Sequence, residues 1–242
     1  MNVCVAILES LSQIKFDVPL PLGVSILDPL HDNVGVLNTV SQFYKKYYDD
    51  HNPRHLVLGI NPGRLGAGST GIPFTDTKRL KNICEIDFEG FQTHEPSSVF
   101  VYDVIDAAGG PDLFFKEVYI NSVCPVGFVK TDVKTGKQTN FNYYDDAKFA
   151  KNLENYIVAH IKEQQAIAQS YKKVFILGTG KNFQYVLRLN QKYKLFTDVI
   201  PLEHPRYIMQ YKLKTKVYYV NQYLSSLKLP RKKGGISPEL LS

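Results

Sequence analysis

Four residues of this chain, Asn61, Phe74, Asn121 and His204, are of types that can hold a planar polar ring and help break a bond to it. An asparagine amide both donates and accepts, which is what reading an amide-like edge of a nucleobase requires. A phenylalanine ring offers a stacking face. A histidine can donate a hydrogen bond to an oxygen that becomes negative as a bond cleaves. Asn61 and Phe74 belong to one stretch, LVLGINPGRLGAGSTGIPFTD (residues 56–76), whose five glycines and two prolines exclude a regular element and let backbone approach a ligand closely. Each residue also has a plain structural use. An asparagine at a strand exit forms turns, a phenylalanine fills cores, and a lone histidine before proline often does neither binding nor catalysis.

Other chemistries lack their residues. The dinucleotide fingerprint Gly-x-Gly-x-x-Gly is absent after the first apolar run, where Pro62 also removes an amide that a phosphate would use. LGTGKN (177–182) lacks the earlier glycine of a phosphate loop and the Ser/Thr after Lys181, although its amides remain available to a DNA phosphate. No Gly-x-Ser-x-Gly elbow occurs, and Cys124 beside Pro125 has no identifiable partner. Cys4, Cys84 and Cys124 are too far apart for a zinc or iron–sulfur site or a disulfide framework.

A net charge of +6 and a pI near 9.0 favour a polyanionic partner only mildly. A hydrophobic content of 44% with 21% charged residues is that of a soluble globular chain. No segment approaches the roughly 18 apolar residues of a membrane span, and VCVAIL near the N-terminus is too short for a signal-peptide core. The expectation is a cytoplasmic, monomeric protein with no membrane contact and three buried, reduced thiols. Residues 1–31 have room for a short helix before the turns DVPLPLG and LDPLHD. Periodicity predicts helices over 33–50, within SSVFVYDVIDAAGG with serine caps, over 145–170, after GTGKN, and over 211–227. Strands are predicted at 55–60, 118–123, 173–178 and 197–202. This alternation predicts an α/β fold, a three-layer α/β/α domain around a central, mostly parallel four-stranded sheet. The domain is expected to cover 1–228, with 229–242 a basic mobile tail. GINPG, NSVCP and EHPRY then fall at the carboxyl ends of strands, where such sheets bind ligands.

GINPG with TGIPF, INSVCPVGF, LGTGKN and EHPR, in this order over about residues 55–225, resemble the uracil-DNA glycosylase superfamily. The similarity is greatest to the single-strand-selective monofunctional type, whose pattern runs Gly-Met-Asn-Pro-Gly, Thr-Gly-Val-Pro-Phe, Asn-x-Cys-Pro and His-Pro, and to a bacterial group of uracil-DNA glycosylase-like proteins. The resemblance implies hydrolysis of the N-glycosidic bond of uracil in DNA, as in base excision repair, with no metal or cofactor needed. By position, Asn61 orients the attacking water and His204 stabilises the departing base anion. Asn121 reads the uracil edge, Phe74 stacks on the base, and Gly59, Ile60, Gly63 and Gly71 line its pocket. Gly63 leaves space for 5-substituted uracils, where some relatives carry tyrosine. The last motif departs from the family's His-Pro-Ser-Pro-Arg, reading HPRYIMQYK. Arg206, Arg64 and Lys181 are candidate phosphate contacts, and Tyr207, Ile208 or Met209 candidates to fill the vacated stack, with Ile208 and Met209 equally suited to face the core. Two other functions share these residues: a catalytically silent DNA-binding module, and a hydrolase of free nucleosides or nucleotides.

Overall fold

The computed structural model describes residues 1–88 and 92–232. Asn2 caps helix α1 (Val3–Ser12), its side chain accepting from Val5 N at 3.1 Å. Strand β1 (Val24–Leu27) and the short α2 (Pro29–Asp32) lead to α3 (Val34–Tyr48), capped by Asn33 on the Gly35 amide. The apolar run becomes β2 (His55–Gly59), buried from Leu56 onward. The glycine-rich stretch holds only the single-turn α4 (Ala67–Thr70), and Asp76 caps α5 (Thr77–Asn82). Helix α6 (Pro96–Ala107) starts on a proline after Glu95, so the serines expected as caps lie inside its first turn. Gly109 and Gly110, both at φ +104°, end it before α7 (Pro111–Glu117).

Strand β3 (Val118–Ser122) follows directly, and then a hairpin of β4 (Gly127–Thr131) and β5 (Gln138–Phe141) that the sequence reading did not place. Its turn is organised by Asp132, whose Oδ1 accepts from the amides of Lys134 and Thr135, and by Gly136 at φ +66°. The helix predicted over 145–170 is two, α8 (Ala147–Asn152) and α9 (Glu154–Ala168), meeting at Leu153. After β6 (Lys173–Leu177), α10 (Lys181–Tyr193) and β7 (Asp198–Leu202), the closing segment is α11 (Pro205–Tyr211), a 3-10 turn over 213–215 and α12 (Lys216–Ser226).

The central sheet is parallel, in the order β3-β2-β6-β7, and helices flank it, giving the α/β/α architecture read from the alternation. A second, antiparallel sheet, β1-β4-β5, stands beside it. No helix among the described residues is long and apolar enough to cross a membrane. Where a basic mobile tail is expected, Leu229 is buried and Lys232 pairs with Asp106 of α6 at 2.8 Å, while 233–242 lie outside the described residues.

The entry to β2 is pinned by Arg54, which is only 4% exposed. Its guanidinium holds Asp50 through two bonds of 2.8 and 2.9 Å and the Phe115 carbonyl at 2.7 Å, and lies 4.7 Å over the Tyr48 ring. One side chain thus joins α3, α7 and the first residues of the central strand. Replacing Arg54 by methionine keeps apolar bulk but orphans the carbonyl and Asp50. A loss of about 3 kcal/mol in urea-unfolding stability is expected, and a change below about 1 kcal/mol would show that the clamp is dispensable.

Candidate active site

The register of β2 with β3 and β6 brings the ends of three strands level, and the polar motifs leave from there. The Gly59 and Ile60 carbonyls accept from the amides of Val123 and Cys124 at 3.0 and 3.1 Å, tying the exit of β2 to that of β3. Asn61 follows. Its Nδ2 donates to the Phe141 carbonyl at 3.3 Å and its Oδ1 accepts from the Tyr143 amide at 3.2 Å, so the end of the hairpin fixes which way the amide faces. One lone pair of Oδ1 remains for a ligand or water.

Phe74 sits at φ +52°, a conformation that side chains other than glycine seldom adopt. It is held there by its neighbours: Thr70 Oγ1 donates to the Thr75 carbonyl at 2.7 Å, and the Thr75 hydroxyl bonds the Pro73 carbonyl and the Tyr102 hydroxyl. Beyond it, buried Asp76 accepts from Arg79 and from the Glu95 amide at 2.8 Å, fastening the loop to the start of α6. The ring lies across Gly59, where a Cβ would come 3.2 Å from Phe74 Cε2; glycine is what lets the ring settle on the strand end. The Phe74 and His204 rings are 6.2 Å apart, centroid to centroid.

His204 caps α11. Its Nδ1 accepts from the Arg206 amide at 3.1 Å, which leaves the proton of the neutral ring on Nε2. Burial, with the Arg206 guanidinium adding to it, brings its pKa down to about 4. His204 is therefore a neutral donor at physiological pH.

These groups line one cleft of about 380 Å³ that contains Ile60, Asn61, Gly63, Phe74, His204, Arg206 and Tyr207 among the expected residues. Glu95, Ser122, Asn140, Asn142, Gln210 and Tyr211 also line it and were not anticipated. Glu95 receives the Ser98 hydroxyl at 3.0 Å, and burial pushes its carboxyl up. A Cβ on Gly63 would sit 3.3 Å from Asn140 Nδ2 and 3.9 Å from Glu95 Oε1, so the space beside Gly63 has polar walls.

Several expected residues lie elsewhere. Asn121 does not line the cleft. Its Nδ2 donates to the Tyr119 hydroxyl and to Gln164 Oε1, both at 2.8 Å, and its Oδ1 accepts from the Ser122 amide at 2.7 Å. Strand alternation turns it away and presents Ser122 instead, whose hydroxyl has no protein partner among the described residues. The signal for this was present: a family spacing of Asn-x-Cys-Pro, counted back from Cys124 and Pro125, lands on Ser122. Gly71 lines a second cavity behind the cleft; it takes φ +71°, and a Cβ there would meet Val40 at 2.6 Å. Ile208 is fully buried and Met209 packs against the core, so neither projects from α11, whereas Tyr207 is 39% exposed. Arg64 and Lys181 are exposed; Lys181 opens α10 just after Gly180, which lines a groove shared with His204 and Tyr207. Cys124 is buried, and burial pushes its thiol up to about 12, so it is no nucleophile at neutral pH.

Fold and site together define a member of the uracil-DNA glycosylase class. The model of the uracil DNA glycosylase superfamily matches residues 45–228, and the chain belongs to that superfamily. A solved structure of SMUG2 from Pedobacter heparinus is 41% identical, with a TM-score of 0.91, over 94% of this chain and 97% of that one. The function is accordingly of the uracil-DNA glycosylase type, exercised on DNA.

The backbone at Ser122 is held from α9. His160 Nε2 donates to the Ser122 carbonyl at 3.2 Å, and Gln164 Nε2 donates to His160 Nδ1 at 3.4 Å. Burial lowers the His160 pKa to about 4, against about 6.5 in an unfolded chain. Below pH 6.5 the unfolded state therefore takes up a proton that the folded state refuses, and stability falls as pH drops from 6.5 to 4, by up to roughly 3 kcal/mol from this residue. In denaturant unfolding at pH 7 and pH 4.5, His160→Gln is expected to lose markedly less stability on acidification than the parent protein. Equal losses would place the pH dependence elsewhere.

Proposed function

We propose that the protein removes uracil from DNA by hydrolysing its N-glycosidic bond, leaving an abasic site as the first step of base excision repair. The observation that carries this reading is the pairing, across one cleft, of a fixed Asn61 amide with a neutral His204 donor, with Phe74 beside them. The target nucleotide leaves the stack and its base lies on Phe74. The free lone pair of Asn61 Oδ1 accepts a hydrogen bond from water and aims it at C1′ of the sugar. As the C1′–N1 bond breaks, its electron pair passes to the base, and the O2 oxygen that gains charge receives the Nε2 hydrogen bond of His204. A new C1′–O bond forms from the water, whose proton is lost to solvent, and the base anion regains a proton to leave as neutral uracil. A neutral imidazole suits this role, since it stabilises the anion without a full charge that would bind water in the empty cleft.

The base edge is met by the Ser122 hydroxyl, which can donate or accept, rather than by Asn121. No lysine is among the described residues that line the cleft, in keeping with a monofunctional reaction with water instead of a Schiff base. Arg206, Arg64 and Lys181 serve as phosphate contacts, and Tyr207 takes the place of the extruded base in the stack. The polar walls beside Gly63 extend the reading to 5-substituted uracils such as 5-hydroxymethyluracil, whose hydroxyl finds partners in Asn140 and Glu95.

An oligonucleotide with one deoxyuridine, incubated with the protein and then treated with alkali, is expected to break at that position. Asn61→Ala and His204→Ala should each slow the break by at least about 100-fold while leaving DNA binding nearly intact. Tight binding with no abasic product would replace the enzyme by a binding module, and turnover of free deoxyuridine alone by a nucleoside hydrolase. With 5-hydroxymethyluracil at the same position, Gly63→Ala is expected to depress excision several-fold more than it does with uracil. An equal effect on both bases would remove Gly63 as the site of 5-substituent tolerance.

A further inference from the structure

The bonds that hold the Asn61 amide lead away from the cleft and back to the strand that Asn61 leaves. Two backbone groups distant in sequence meet it, the Phe141 carbonyl and the Tyr143 amide, and both belong to the stretch 141–146, from the end of β5 to the cap of α8. That stretch is closed on itself. Asp145 Oδ2 accepts from the Asn142 amide at 2.8 Å, the Asp145 amide donates to the Asn142 carbonyl at 2.9 Å, and Asp146 accepts from the Phe149 amide at 2.8 Å. One side chain carries it to the parallel sheet. Tyr143, fully buried, donates its hydroxyl to Asn182 Oδ1 at 2.7 Å, and Asn182 Nδ2 donates to the Gly59 and Leu177 carbonyls at 3.4 and 3.1 Å.

We infer that Tyr143 and Asn182 are positioning residues for the glycosidic cleavage: together they fix where Asn61 aims its free lone pair. The inference rests on the glycosylase reading and adds to it two residues that do not line the cleft. Their hydrogens admit one arrangement. The Gly59 and Leu177 carbonyls can only accept, so the nitrogen of the Asn182 amide faces them and its oxygen faces Tyr143. The tyrosine hydroxyl then donates to that oxygen, while the Tyr143 amide donates to Asn61 Oδ1. A ring of bonds thus starts at Gly59, passes through Asn61, Tyr143 and Asn182, and ends on the Gly59 carbonyl. Asn61 lies two residues beyond Gly59, so the ring sets the asparagine side chain against its own strand. Its members are buried or half-buried, where water does not replace a lost partner.

This gives LGTGKN a use other than a phosphate loop. Gly178, at φ +103°, turns the chain after β6, and Asn182 enters the first turn of α10 at 2% exposure. There its amide reaches back to the Leu177 carbonyl, five residues earlier, while Lys181 beside it is exposed. The Tyr143 ring also packs on α10, 4.9 Å from the Tyr185 ring at 65°. Tyr143→Phe keeps that ring contact and removes the hydroxyl bond.

The test is single-turnover excision of deoxyuridine from an oligonucleotide at saturating protein. Tyr143→Phe is expected to slow cleavage roughly tenfold, the cost of a displacement short of 1 Å at a reacting group. Its Kd for an oligonucleotide with a tetrahydrofuran abasic analogue should stay within about twofold of the parent's. Added to Asn61→Ala it should cost less than about twofold more, whereas added to His204→Ala it should keep its roughly tenfold cost. A merely structural role predicts the same loss in all three backgrounds. That result, an unchanged rate in Tyr143→Phe, or a loss of DNA binding as large as the loss of rate would overturn the proposal. If Tyr143→Phe does not fold, Asn182→Ala, which removes the acceptor of the tyrosine hydroxyl, takes its place in the same comparison. A parent protein that leaves the deoxyuridine strand intact would instead overturn the glycosylase reading, and the proposal with it.

Discussion

The site depends on the parallel register of one strand. β2 pairs with β3 on one side and β6 on the other, so Gly59, Ser122 and Leu177 reach the same edge of the sheet. Parallel strands need their crossovers on the faces, which leaves the carboxyl edge free for loops and points every strand exit the same way. Asn182 extends that order by one residue, donating to the Gly59 and Leu177 carbonyls at 3.4 and 3.1 Å. A slip of β3 by one residue would turn Ser122 away and bring Asn121 to the cleft, changing the polar group offered to a ligand.

Around that edge each polar group is oriented by a partner that takes no part in the chemistry. The Asn61 amide is set by backbone at Phe141 and Tyr143, the His204 tautomer by the Arg206 amide, and the Ser122 backbone by His160. Phe74 is the strained member, at φ +52°, and the threonine bonds around it supply the restraint that keeps it there. These bonds orient the site without a substrate, which is what the proposed stabilisation of a brief negative charge demands. The small residues between cleft and rear cavity, Ala67 and Ser122, keep the two spaces adjacent without merging them into one core.

Much of this was legible in the chain. The apolar run 55–60, the polar helices and the alternating strands identified the central sheet, and the four ordered motifs identified the superfamily. The hairpin of β4 and β5 escaped because its exposed strand QTNF carries no apolar alternation, and only Asp132 and Gly136 mark its turn. That omission also hid Asn140 and Asn142, and with them the partners of Asn61. Glu95 went unassigned because its role comes from Asp76 and Ser98, which meet it only in the folded chain.

The sequence by itself determined the inventory: which strands are buried, which loop is rich in glycine and proline and carries the phenylalanine, and which asparagine and histidine stand at strand exits. These are local properties, set by hydrophobic period and backbone freedom, and they survive without knowledge of neighbours. Only the tertiary structure decided direction. Asn121 and Ser122 are adjacent in sequence, yet only Ser122 lines the cleft, and Tyr207 and Ile208 part as well, one to the cleft and one to the core. A side chain's facing depends on which surface the rest of the chain covers, and that is a sum over contacts distant in sequence.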